Sequence, residues 1–325
     1  MLTSCLPLAS VLTMNGSTVS EFILLGFHFP CSVQTYLSTL VLACYAVTLL
    51  GNCLILATVL SEPHLRNSPM YFFLANLSLT DMTFASVAAP KFAADLLKCG
   101  HSISYAGCMG QLFYLHLFGG AEMLLLSVMA YDRYVAICHP LRYGAIMDRQ
   151  YCFKMLAVCW TGGFLHSTIH AAVLAHLPFC GPNVLDNFYC ELPEVLKLAC
   201  MDIYASEVIT IVNSGLITLP CFLTLLISYS MILTTVCSRF GKGGAKALST
   251  CGSHLMVVSL FYVPCIIVYL KPFSNSQKNK VVSTFYMLAT PALNPFIYTL
   301  RNQEIKEAMR KLKHKCKLLL VPQRE

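Results

Sequence analysis

The sequence predicts an all-α membrane protein: a seven-transmembrane helix bundle followed by a short amphipathic cytoplasmic helix. Three observations predict it. First, 57% of the 325 residues are hydrophobic and only 11% are charged, with a mean hydropathy of +0.66. A soluble domain carries about a quarter charged residues, so this chain lacks the polar surface to cover itself in water. Second, seven apolar stretches are each long enough to cross a bilayer as a helix, which takes about 20 residues. Third, Lys and Arg are sorted unevenly between the two sets of loops.

The spans are expected at 36–60, 69–94, 108–136, 152–176, 205–237, 247–270 and 281–300. They are too long and too continuous for barrel strands, and only helices or closed barrels satisfy their backbone in lipid. The chain therefore divides into an extracellular N-terminal segment (1–35), the seven-transmembrane domain (36–300) and a cytoplasmic amphipathic helix with its tail (301–325). With the N-terminus outside, 16 of the 22 Lys and Arg fall on the cytoplasmic side. That positive-inside bias accounts for the net charge of +7 without nucleic-acid binding. Asn15-Gly16-Ser17 is a glycosylation sequon, so Asn15 is expected to be modified. Asn76-Leu77-Ser78 matches too, but lies within the second span, out of reach of the transferase. Residues 1–13 lack the basic start and long apolar run of a cleavable signal peptide, and Met14 is an alternative start. In the tail, Ile305, Ala308, Met309 and Leu312 fall at helical spacing among basic residues, as on a helix lying against an anionic leaflet.

Polar residues inside spans are costly, and each is a functional hypothesis. Asp81 lies in the second span, Glu122 in the third, Asn52 in the first and Asn294 in the seventh. If they converge, their oxygens suit a hard cation such as Na⁺. A hydrated polar plug with one neutral carboxylate remains the other reading. Asp132 and Arg133 close the third span, in MAYDRYVAICHP (129–140). An arginine there can snorkel to the interface, pair with a carboxylate or bond a partner's carbonyls. His166 and His170, in HSTIH, are four apart on the fourth span; packing is a better reading than a metal site, because no third ligand lies nearby in sequence. Among the 17 cysteines, Cys108, Cys180, Cys190 and Cys200 face the outer side, and four cysteines allow three pairings. Cys99 is an extra cysteine near Cys108. Cys5 and Cys31 are unassigned. Cys316, in KHKCKLLL, is either palmitoylated or a free thiol.

Read together, the motifs become specific. GN in the first span, PMYFFLANLSLTD (69–81), MAYDRYVAICHPLRY (129–143), SY (228–229), KALSTCGSHL (246–255) and PALNPFIYTLRN (291–302) lie in order over nearly the whole chain from Met14. The chain resembles a vertebrate olfactory receptor, a rhodopsin-like G-protein-coupled receptor. GGAEMLLL and FYVPC are similar to the family-4 branch. The resemblance implies an odorant receptor that activates a stimulatory, olfactory-type G protein and raises cyclic AMP from the plasma membrane of olfactory cilia, helped by a trafficking chaperone. It implies disulfides Cys108–Cys190 and Cys180–Cys200. It implies that Arg133 pairs with Asp132 at rest and meets the G protein when the sixth helix swings out. Asp132, Arg133, Tyr134, Tyr229, Asn294, Pro295 and Tyr298 are then the switch residues. Lys246 and His254 lie on the moving half, and Pro264 and Pro295 permit kinks by removing backbone bonds.

The ligand is expected among helices three, five, six and seven. Motif positions point to Leu115, His116, Gly119, Gly120, Asn213, Ser214, Ile217, Thr218, Tyr262, Cys265, Ile266, Tyr269 and Met287, with Phe188 and Glu191 in the lid. Leu115 stands where amine receptors carry an aspartate, and residues 281–300 hold no lysine for a chromophore. Both absences favour small neutral molecules of largely apolar character. No nucleophile–base pair, phosphate loop or metal triad suggests an enzyme, and seven unequal spans without a repeat argue against a transporter or channel. A non-olfactory receptor for a metabolite is the alternative the residues leave open.

Overall fold

In the computed structural model, the structure describes residues 19–26, 30–98, 101–179, 183–239, 244–270 and 276–320; the side chains of 31, 239, 244–250, 268–270, 276–279, 300–301 and 316–320 are not described. Asn15, Cys5, Cys99 and Cys180 therefore lie outside the described residues, as do the side chains of Cys31, Lys246, Tyr269 and Cys316.

Eleven helices are described in chain order: α1 (Cys31–Ser61), α2 (Pro63–Arg66), α3 (Pro69–Lys98), α4 (Tyr105–Cys138), α5 (Tyr143–Ile146), α6 (Arg149–Ala175), α7 (Leu192–Leu196), α8 (Tyr204–Arg239), α9 (Gly244–Leu270), α10 (Ser276–Arg301) and α11 (Gln303–Leu320). Seven of them run 26 residues or longer and form the bundle. Four hold stretches long and apolar enough to cross a membrane on composition alone: Ser32–Ser61, Pro69–Lys98, Tyr105–Cys138 and Tyr204–Ser238. Large side chains such as Leu50, Leu216 and Ile227 point outward, as lipid-facing positions do.

The helices extend past their apolar windows because their boundary signals lie outside them. Ser104 accepts from the Gly107 amide at the start of α4, and Asp148 accepts from Tyr151 at the start of α6, each satisfying a free N–H of the first turn. Pro63 opens α2, and Pro140 follows α4 in a short 3₁₀ turn, both compatible with the missing proline N–H. Small residues set the closest approach. A Cβ on Gly163 of α6 would lie 2.5 Å from the Leu117 carbonyl oxygen of α4, so only glycine fits there.

Three short strands cap one end: β1 (Glu21–Leu24), β2 (Ser102–Ser104) and β3 (Val184–Leu185), in the order β2-β1-β3. β1 runs antiparallel to β2 (Phe22 opposite Ile103) and parallel to β3 (Ile23 opposite Val184). Phe22 is fully buried and packs edge-on against Phe179. Gly26 follows β1 with φ +57, and a Cβ there would strike the Phe188 ring at 2.8 Å. Lys280, almost fully buried, donates to the Gly26 carbonyl at 3.0 Å and also pairs with Asp186, fastening the cap to α10.

At the other end α11 turns its apolar side inward: Ile305 and Ala308 are buried, and Lys315 pairs with Glu62 at 2.9 Å. Tyr71 donates to Glu304 at 2.7 Å, tying α3 to the same helix.

Candidate functional site

Among the described residues, two chambers stand out inside the bundle. The larger, about 460 Å³, sits beneath the capped end. The loop between α6 and α8 roofs it. A disulfide from Cys190 to Cys108, at the start of α4, fixes that loop, and Gln111 accepts from the Cys190 amide at 2.9 Å. Cys200 is also disulfide-bonded; its expected partner, Cys180, lies outside the described residues. Glu191 reaches the chamber from the roof, while Phe188 packs instead against Phe92, with ring centroids 4.4 Å apart. Burial pushes the Glu191 carboxyl up to about 8, and an Asn187 amide donates to it.

Ten of the thirteen residues expected from sequence line this chamber: Leu115, His116, Gly119 and Gly120 from α4; Ser214, Ile217 and Thr218 from α8; Cys265 and Ile266 from α9; and Met287 from α10. The structure sets two off the wall. Asn213 turns toward α6, where its amide donates to the His166 carbonyl at 3.1 Å and to His170 Nε2 at 3.2 Å. It is one residue, about 100° around the helix, from Ser214, so the two cannot share a face. Tyr262 is buried against α4, its hydroxyl 3.4 Å from Ser127 Oγ and from the Met123 carbonyl. The side chain of Tyr269 lies outside the described residues. Lining residues not foreseen include Met123, His166, Glu207, Thr210, Phe222 and Tyr286. The turn before Ser214 was the available signal for Thr210, which precedes it by four residues.

His116, His166 and His170 come together across α4 and α6, with ring centroids 4.5 to 5.8 Å apart. His116 Nδ1 lies 2.8 Å from the Leu112 carbonyl, an acceptor, so that nitrogen carries the proton. No group of three His, Cys, Asp or Glu side chains among the described residues is set to hold a metal. HSTIH thus supplies two members of a packed histidine cluster whose third comes from another helix.

Between the chambers, Asn294 donates to both oxygens of Asp81, at 3.1 and 3.0 Å. Glu122 Oε1 and Asn294 Oδ1 are buried without partners. Asn52 makes no hydrogen bond to them among the described residues: its amide donates to the Thr48 carbonyl at 3.0 Å and the Pro291 carbonyl at 3.2 Å, clamping α1 to α10. Two unpaired acceptor oxygens beside a second carboxylate fit a small hard cation.

The smaller chamber, about 30 Å³, holds Arg133 beside Met70, Leu74, Met129, Ser253, His254, Tyr298 and Asn302. Tyr229 and His254 are hydrogen-bonded at its edge, joining α8 to α9. The hydroxyls of Tyr298 and Ser253 and the Nε2 of His254 are buried without partners. Asp132 faces elsewhere and accepts from Tyr143 at 2.7 Å. No ion pair among the described residues includes Arg133; neighbours at i and i+1 do not face each other on a helix. Tyr134 bonds His139 at 3.0 Å, beside the turn that ends α4.

Comparison with known proteins gives this arrangement a lineage. The family model described as "Olfactory receptor" matches residues 41–315. The chain belongs to the olfactory receptor family. Human relatives include "Olfactory receptor 4Q3", 52% identical over 93% of this chain and 96% of the relative. "Olfactory receptor 4K14" is 51% identical over 93% and 97%, and "Olfactory receptor 4K17" is 52% identical over 92% and 96%. The resemblance to family 4 read from GGAEMLLL and FYVPC agrees with these relatives. This olfactory receptor is accordingly a multi-pass membrane G-protein-coupled receptor and not an enzyme.

Proposed function

We propose that this receptor binds small neutral volatile molecules, largely apolar, in the larger chamber and activates a stimulatory, olfactory-type G protein to raise cyclic AMP. The observation that carries the reading is the chamber itself. About 460 Å³ of space is walled by Leu115, Met123, Phe222, Phe261, Met287 and their neighbours, with no Lys or Arg on the wall among the described residues. Such a volume accepts a ligand of ten or so heavy atoms, whose affinity is bounded by its size. Among the described residues a carboxylate ligand finds no cationic side chain there. Two carboxyls, Glu191 and Glu207, reach the wall, and burial keeps the first mostly neutral at pH 7.

The capped end faces outside in this reading, with residues 1–35 extracellular, 36–300 forming the receptor domain and 301–325 cytoplasmic. The receptor sits in the plasma membrane, as in olfactory cilia. Binding shifts the receptor only by the ligand's preference for one of its states. The route runs along α9. Phe261, Cys265 and Ile266 touch the chamber, Tyr262 and Pro264 lie between them, and His254 reaches the smaller chamber about two turns earlier on α9. Outward movement of that half of α9 parts His254 from Tyr229 and frees Arg133 for the G protein. Tyr229, Tyr298, Asn294 and Pro295 resettle around it. Asp81 and Glu122, with Asn294, hold Na⁺ in the state at rest. A cation supplies the positive charge two neighbouring carboxylates lack.

The test is cyclic AMP in cells co-expressing this chain and a stimulatory olfactory-type Gα, across a panel of neutral volatiles, with surface expression measured. The expected result is a dose-dependent response that Arg133→Ala abolishes at equal surface level. A response undiminished in Arg133→Ala would contradict the switch, and activation only by charged compounds would contradict the ligand class.

A further inference from the structure

Thr210, Ser214 and Thr218 all stand on the wall of the larger chamber, and all belong to α8. Spaced by four residues, they share one face of the helix, with successive hydroxyls about 6 Å apart along its axis. A hydroxyl on an apolar helix ordinarily bonds a carbonyl one turn back. Thr48, Thr58, Thr80, Ser127 and Thr224 do so here, at 2.7 to 3.0 Å. The three hydroxyls on the chamber wall have no hydrogen-bond partner among the described residues, and Thr210 Oγ1 is buried without one. Much of the rest of the wall is apolar, including Phe84, Leu115 and Met287.

We propose that the receptor selects neutral ligands carrying two oxygen functions about 6 Å apart, the pitch of one helical step of four residues. Ser214 bonds one oxygen and Thr218 the other, while the hydrocarbon lies against the apolar wall. This deepens the odorant reading and rests on it. A ligand with a single oxygen satisfies one rung and lays hydrocarbon over the next, which leaves that hydroxyl dry and unpartnered. A hydroxyl both donates and accepts, so diols, hydroxy-ketones and hydroxy-esters of the right spacing all qualify. Thr210 is a third rung, one turn nearer the start of α8. Compounds with oxygens at opposite ends of a long chain overshoot the pair.

The experiment uses three nine-carbon probes: the primary alcohol, the diol with hydroxyls on its first and fourth carbons, and the diol with hydroxyls on both terminal carbons. An extended chain places the oxygens of the first diol five bonds apart, about one helical step. Binding is read by thermal shift of the purified receptor and activation by cyclic AMP. The first diol should bind and activate at about three- to tenfold lower concentration than the alcohol or the terminal diol. Ser214→Ala and Thr218→Val should each erase that advantage, bringing the first diol to the potency of the alcohol in the same variant. Equal potency of the three probes, or an advantage that survives the double variant, would overturn the proposal. A thermal shift by the first diol without cyclic AMP would leave the two-point site standing and sink the G-protein reading. No shift by this diol, where another volatile shifts the receptor, would sink the two-point site and spare the receptor. No shift by any volatile would sink both.

Discussion

The two chambers leave different things unsatisfied. The larger holds empty space of about 460 Å³, mostly against apolar side chains. The smaller, of about 30 Å³, has room for about one water and gathers an arginine with three unpartnered polar atoms. Empty apolar space is satisfied by a guest that fills it. Crowded, incompletely bonded polar groups are satisfied by rearranging. The contrast separates the end that receives a molecule from the end that changes partners. The larger chamber is held by covalent and sheet contacts at its cap, while the smaller is held by side-chain hydrogen bonds between helices. The first should keep its shape in both states of the receptor, and the second should not.

Four changes break or sharpen that contrast, from the largest effect down. Cys190→Ser releases the roof of the larger chamber, and loss of a disulfide from a small domain costs about 2–5 kcal/mol. Ligand potency and thermal stability should both fall, as read by dose–response and unfolding of surface-expressed receptor, while signalling without ligand persists. Gly163→Ala forces α6 away from α4, since its Cβ would meet the Leu117 carbonyl at 2.5 Å. Overpacking of this kind costs about 1–3 kcal/mol, and both chambers should suffer together. Surface expression and ligand response should fall in proportion.

Tyr143→Phe acts at the other end only. It removes the hydroxyl that donates to Asp132 and leaves a buried carboxylate without a partner, at about 1–3 kcal/mol. Coupling to the G protein should change, while ligand binding measured directly stays within about twofold.

The smallest effect is one of pH. Burial raises the Glu191 carboxyl from 4.5 to about 8, so the folded cap holds a proton that the unfolded chain has released. Stability of the cap should therefore be greatest below pH 4.5, decline as pH rises toward 8 and level off above it. Hydrogen-exchange protection across residues 184–196, corrected for the intrinsic pH dependence of amide exchange, should fall over that window in the wild type and stay flat in Glu191→Gln.

The bundle was legible because lipid imposes a simple rule. A stretch of about 20 apolar residues must be a helix, and all seven long helices overlap the stretches read from sequence. Their ends moved by several residues because Ser104 and Asp148 act through caps outside the apolar window. The capping sheet left no such trace. Its strands are four, three and two residues long, and they pair across distant parts of the chain, where no alternation can build up. The same limit governs the chamber. Ser214 and Thr218 followed from motif position, but Thr210 and Met123 needed the helices set side by side. Asn213 turns to α6 and Tyr262 to α4, because position along a helix does not fix which neighbour a side chain meets. His116 and HSTIH are some 50 residues apart in sequence, and only packing shows them as one cluster.

The most direct test of a receiving chamber joined to a separate switch compares Gly119→Leu with Arg133→Ala for one volatile that activates the wild type. Gly119 lines the larger chamber with room for a Cβ, its nearest neighbours 3.7 Å away, so a leucine projects into the ligand space. Cyclic AMP and direct ligand binding are measured at matched surface expression. Gly119→Leu should shift both curves to at least about tenfold higher concentration and leave ligand-free signalling unchanged. Arg133→Ala should flatten the cyclic AMP curve and leave binding where it was. Full potency in Gly119→Leu, or binding lost together with signalling in Arg133→Ala, would contradict the account.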